Sequence, residues 1–135
     1  MNNIFNTPTN KPDSYRTLNV FAKSECVYDI TFYFVSRFLD RSHDRTVDQM
    51  QQAARSGKQN IVEGYSDAEG STESEHKLTV IAKGSLEELK EDYRDYLRCH
   101  NLEIWGPQHP KYKMAQPFCR RHNDSAWYRK QIEGR

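Results

Sequence analysis

The sequence is poor in the features that define several protein classes. It has three cysteines, Cys26, Cys99 and Cys119, at unrelated spacings and with no Cys-x-x-Cys pair, so neither a disulfide framework nor a thiolate zinc site is expected. No apolar run approaches the ~20 residues that span a bilayer, and Met1-Asn2-Asn3-Ile4-Phe5-Asn6 lacks the basic and apolar regions of an export signal. The expectation is a cytoplasmic protein with no membrane partner. Only six glycines occur, and Gly57-Lys58 has neither the upstream strand nor the glycine pattern of a phosphate loop. Net charge is small, at +1. A mean hydropathy of -0.99 still comes with 12% aromatic residues, which argues for a folded core rather than a disordered chain.

What is present is helical periodicity. Residues 1–13 are rich in Asn, Thr and Pro and read as a flexible leader, and 14–135 as a single domain. Phe21, Tyr28, Phe32, Val35 and Leu39, widened by Val27, Phe34 and Phe38, predict a first helix over about 15–39. The stretch Ile30–Val35 would alone pass for a strand, but its flanks are helical. Thr46 or Asp44 can cap a second helix over 46–66, where Val47, Met50, Ala54, Gly57, Ile61 and Gly64 step by three and four. After the hinge Ser66–Ser71, Thr72-x-x-Glu75 forms a capping box for a third helix over 72–100, with Leu78, Ile81, Ala82, Ser85, Leu86, Leu89 and Tyr93 on one face. Pro110 can start a fourth, less regular helix over 110–130, in which Pro117 is a break signal. The last four residues, Ile132-Glu133-Gly134-Arg135, resemble a protease-recognition linker and are set aside in the fold reading.

The second and third helices are unusually rich in small residues: Ala53, Ala54, Gly57 and Gly64 on one, Ala82, Gly84 and Ser85 on the other. Each helix-interior glycine costs ~1 kcal/mol relative to alanine, so close helix contact is expected at Gly57, Gly64 and Gly84. Asn60 and Glu63, one turn apart, are expected to bond each other or a facing helix, with an inter-subunit or ligand contact as the alternative.

Asn60-Ile61-x-Glu63-Gly64, followed by Gly84-Ser85-Leu86-x-Glu88-Leu89, resembles the four-helix-bundle family of the 23S rRNA intervening-sequence proteins. The resemblance covers roughly residues 18–102. It implies an all-α, up-down antiparallel four-helix bundle without an established catalytic activity. It also implies self-association, because the related accessory variability proteins of diversity-generating retroelements form pentameric rings and bind nucleic acid and a reverse transcriptase.

Charge is unevenly distributed. Residues 1–97 hold 12 Lys and Arg against 16 Asp and Glu, a net -4, whereas residues 98–135 hold 8 against 3, a net +5. A basic end of this kind is either a solvated surface or an electrostatic footprint for nucleic acid. Lys111, Lys113, Arg120, Arg121, Arg129 and Lys130, interleaved with Tyr112, Trp127 and Tyr128, are the candidate phosphate contacts. A protein adaptor docking through Trp105 and Trp127 is a second reading. A metal-dependent bundle enzyme is a third, and it has little support: Glu73-x-x-His76 is a single copy, and Cys99-His100 with Cys119 and His122 does not have zinc-finger spacing. No nucleophile–base arrangement is apparent, so neither a catalytic role nor a cofactor is expected.

Overall fold

The computed structural model describes residues 12–67 and 72–134, and every regular element among them is a helix. These are α1 (Pro12–Phe38), α2 (Thr46–Asp67), α3 (Thr72–Cys99), α4 (Pro110–Arg121) and α5 (Ser125–Glu133). The first three match the ranges expected from periodicity to within about three residues. Of the expected leader, residues 1–11 lie outside the described residues, while Pro12 and Asp13 belong to α1. Residues 68–71 of the hinge and the side chains of the Thr72–Glu75 capping box also lie outside them. The strand-like stretch Ile30–Val35 is helical, and Thr31 and Val35, one turn apart, are both buried.

The core lies among α1, α2 and α3. Val35, Val47, Met50, Ala53, Ala54 and Leu89 form its buried centre, with Val27, Tyr28, Phe34, Leu39 and Tyr93 packed around it. Small residues on α2 let α3 approach closely: a Cβ added to Gly57 would lie 2.7 Å from Leu86 Cδ2 and 2.9 Å from its Cγ. Across the same contact the Ser56 and Ser85 hydroxyls bond at 2.8 Å. Tyr93 of α3 meets α1 twice, through a 2.8 Å hydroxyl bond with Thr31 and an edge-on ring contact with Phe34.

Two readings of the small-residue motif need correction. Gly84 faces solvent, and a Cβ there would meet nothing within 4 Å, so it marks no close crossing. Asn60 and Glu63 do not pair. The Asn60 amide donates back to the Ser56 carbonyl at 2.7 Å, and Glu63 is exposed. A short amide one turn from a carbonyl bonds within its own helix more readily than across to a neighbour.

Helix ends follow local chemistry. Asp44, rather than Thr46, caps α2, its carboxylate accepting from the Thr46 amide at 2.9 Å. At the end of α3, Asn101 takes a left-handed conformation (φ 57°), and Leu102 N–H donates to the Leu97 carbonyl at 2.8 Å. That is the six-residue closure with which helices commonly stop.

The expected fourth helix is two. Asp124 breaks it by accepting from the Ala126 amide at 2.9 Å, which starts α5, while His122 is extended at φ -106°, ψ 118°. Pro117 sits inside α4 on an exposed position and does not end it. Ile132 and Glu133, set aside as linker-like, complete α5, and Glu133 accepts from Arg129 at 2.8 Å.

Candidate nucleic-acid interface

The α4–α5 hairpin docks on the side of α1 turned away from the core. Lys23 is the pivot: its ammonium donates to the Cys119, Arg120 and His122 carbonyls, the last at 2.9 Å. These are groups left open at a helix C-terminus, where a cation is also favoured by the helix dipole. Tyr128 adds its hydroxyl, donating to the Cys119 and His122 carbonyls at 2.9 and 2.7 Å. Burial pushes its phenol up to about 12, and nearby Cys119 and Cys26 act in the same direction. Farther along, Asn123 donates to Asn19 at 2.5 Å and Ser125 to Asp29 at 2.7 Å.

This docking disperses the six basic residues proposed from sequence. Lys111 lies over the Trp105 ring at 5.2 Å, at the start of α4. Arg121, at its end, lies over Phe118 at 5.1 Å. Arg120 lines a cavity between α1 and α4, and Lys113 and Lys130 are exposed. Arg129 alone joins a larger cluster. Nor are Trp105 and Trp127 open docking rings: both are half-buried, Trp105 stacking on His109 at 5.8 Å and Trp127 on His122 at 3.8 Å. His109 in turn bonds Glu103 at 2.8 Å and caps α4 by accepting from the Lys111 amide.

Among the described residues, the cluster around Arg129 brings together several arginines and aromatic rings on one surface. Its guanidinium sits 4.7 Å from the Tyr33 ring centre, and its hydrogen bond to Glu133 holds the pKa above the usual arginine value. Arg37 donates to the Tyr33 hydroxyl at 2.5 Å and lies 5.1 Å from the Phe38 ring. Arg41 lies 5.2 Å from Phe32 and donates to Ser36 Oγ at 3.3 Å. Phe32 and Phe38 are 51% and 43% exposed, which is high for phenylalanines on a helix that also supplies the core. A cleft of about 840 Å³ between α1 and α5 runs past Tyr28, Phe32, Tyr33, Arg37 and Arg129.

The nearby carboxylates have donors of their own. Asp29 accepts from Ser125, and Asp40 accepts from His43 at 2.8 Å and from the Ser42 amide, bonds that hold its pKa below the usual value. Glu133 pairs with Arg129, whereas among the described residues Arg37 and Arg41 have no carboxylate partner, so the surface keeps two unpaired guanidinium charges and a third, paired one over Tyr33, an arrangement able to contact phosphates and stack bases together.

Counting charge along the chain hid this site, because Arg37 and Arg41 lie within the net-acidic portion. The signal is the interleaving itself: Phe32, Tyr33, Arg37, Phe38 and Arg41 recur at steps of one, three and four, but Phe32 and Phe38 also fit the apolar stripe expected to face the core.

Among the described residues no three His, Cys, Asp or Glu side chains converge as metal ligands, and no helix is long and apolar enough to cross a membrane. No family model, curated protein or solved structure matches the chain.

Proposed function

We propose that this chain is a non-catalytic, self-associating helical bundle that binds single-stranded nucleic acid through the arginine–aromatic face of α1 and α5. The observation that carries the reading is the gathering of Arg37, Arg41 and Arg129 around Tyr33 and the exposed Phe32 and Phe38. Aromatic faces beside a positive groove suit unpaired bases, which offer both a π-face and a phosphate. The Asn60–Gly64 and Gly84–Leu89 resemblance supports an up-down four-helix arrangement, with α4 and α5 together taking the fourth position, and a cytoplasmic setting. Self-association is supported by Val80 and Ile81, 55% and 42% exposed on α3 beside the open Gly84.

The test is fluorescence anisotropy with labelled oligo(dT) and oligo(U) across a salt series, for the natural protein and for Arg37→Glu/Arg129→Glu. At ~0.7 per phosphate contact, losing two contacts lowers the slope of log K against log salt by about 1.4, with at least about tenfold weaker binding at low salt. An unchanged slope rejects this face as the interface. Binding of a polypeptide that persists at high salt would favour the adaptor reading, and light scattering at two salt concentrations tests self-association separately.

A further inference from the structure

A second site lies on the other edge of the hairpin. Residues of α1, α3, α4 and α5 line a cavity of about 440 Å³ that is open to solvent on the α4 side, within the range of small-molecule sites. Val27, Ile30 and the rings of Tyr93 and Tyr128 contribute its walls. The polar groups inside are already engaged: the Lys23 ammonium holds three carbonyls, Tyr128 holds two, and Thr31 and Tyr93 bond each other. A guest therefore meets apolar surface over most of its length and no unmet donor in the interior.

The mouth differs. Gln116, Cys119 and Arg120 also line the cavity, and their spacing of three and four puts them on one face of α4. Among the described residues neither the Arg120 guanidinium nor the Gln116 amide is committed to a hydrogen bond or ion pair. A planar, permanently charged fork at the rim of an apolar cavity matches one ligand chemistry well, a carboxylate on an apolar body.

We infer that this cavity binds a small apolar monocarboxylate, its hydrocarbon part between the Ile30, Tyr93 and Tyr128 walls and its carboxylate on Arg120 at the mouth. Free fatty acids and aromatic acids share this chemistry. Ile30 is the one lining residue this cavity shares with the cleft beside the arginine–aromatic face, and none of its polar groups belongs to that face, so the inference stands or falls independently of nucleic-acid binding.

The experiment titrates the full chain with decanoate below its micelle concentration, with decanol and benzoate as comparison probes, following heat and the rate at which iodoacetamide alkylates Cys119. Saturable decanoate binding that slows Cys119 alkylation is expected, and Arg120→Gln should weaken it about tenfold or more while leaving decanol binding unchanged. Gln116→Trp, an exposed position that should leave the fold intact, should block both C10 probes by filling the mouth. Benzoate binding in place of decanoate would assign the aromatic-acid source. Three results would overturn the inference: no saturable binding of either acid, decanoate binding indifferent to Arg120→Gln, or binding that leaves Cys119 alkylation unchanged.

Discussion

α1 holds its two sets of neighbours by different physics. Toward α2 and α3 it offers Val35, which is fully buried, with Val27, Phe34 and the Thr31–Tyr93 pair around it. Toward α4 and α5 it offers Asn19, Lys23, Asp29 and Tyr33, each meeting a polar or charged partner, and neither α4 nor α5 contains a buried residue. Apolar burial is proportional to area and shared by many side chains, so it makes three helices cooperative. Exposed polar contacts contribute about 1 kcal/mol or less each, but they are directional and fix position well. The hairpin is thus placed accurately and held lightly, the condition under which a segment opens without the rest unfolding. Both candidate sites depend on it, since each takes one wall from the core helices and another from the hairpin.

The largest expected effect tests the core side of the comparison. Met50 has no exposed surface and sits at the centre of the buried cluster. Met50→Ala should lower global stability by about 2–5 kcal/mol, read from the urea midpoint of the circular-dichroism signal, with the fluorescence of Trp105 and Trp127 followed alongside. Separate transitions would mean that the core helices and the hairpin are already uncoupled in the variant.

A second test uses the Tyr93 phenol, which burial raises to about 12 although its bond to Thr31 pulls it down. Below pH 10 folded and unfolded chains both keep the proton, and the contribution is intact. Between pH 10 and 12 the unfolded chain ionises first, so stability falls by about 2–3 kcal/mol from this group. In Tyr93→Phe the loss of stability between pH 9 and 11.5, measured by urea unfolding, should be clearly shallower than in the natural protein. Some slope should remain, since Tyr128 is raised in the same direction. Identical slopes would show that Tyr93 is not the group responsible.

The hairpin side is tested by Lys23→Met, which keeps an unbranched chain but removes the donor to three carbonyls. Amide exchange over residues 110–133 should accelerate by up to about thirtyfold, the equivalent of ~2 kcal/mol at a helix C-terminus, while exchange in the core of α2 stays near its original rate. Equal acceleration in both regions would break the comparison, making the hairpin part of the cooperative unit.

These differences in binding mode explain what could be read from the sequence. Core helices were legible because their information is local and periodic: Val47, Met50 and Ala54 repeat at bundle spacing, and Asp44 stops and restarts the chain within a few residues. The hairpin was not, because the α4 carbonyls are capped by Lys23, roughly a hundred positions away, a partnership that no window reveals. Arg37, Arg41 and Arg129 escaped for the same reason. Arg37 lies on α1, Arg41 in the turn that follows it and Arg129 on α5, and only the docking of the hairpin turns them into one surface. Trp127 misled in the opposite direction, since its pairing with His122, five residues earlier, is local but has no periodic signature.

Gly84 carries the smallest predicted effect and the sharpest test of how the small-residue motif was interpreted. A helix-interior glycine can be kept because a neighbour leaves no room for a side chain, and Gly57, with Leu86 2.7 Å from any added Cβ, is of that kind. Gly84 has open space instead, and an exposed position without positive φ, so alanine should fit its backbone and restrict the unfolded chain. Gly84→Ala should therefore stabilise the monomer by about 0.5–1 kcal/mol, whereas Gly57→Ala should destabilise it because Leu86 must move. Measuring both at several protein concentrations separates two origins for the open glycine. If Gly84→Ala stabilises at every concentration, the position is simply solvent-facing. If its benefit disappears as concentration rises, while the mass seen by light scattering falls relative to the natural protein, the space beside Gly84 is filled by a second copy packing on Val80 and Ile81. The glycine would then be as tightly constrained as Gly57, with the constraining side chain supplied by another molecule.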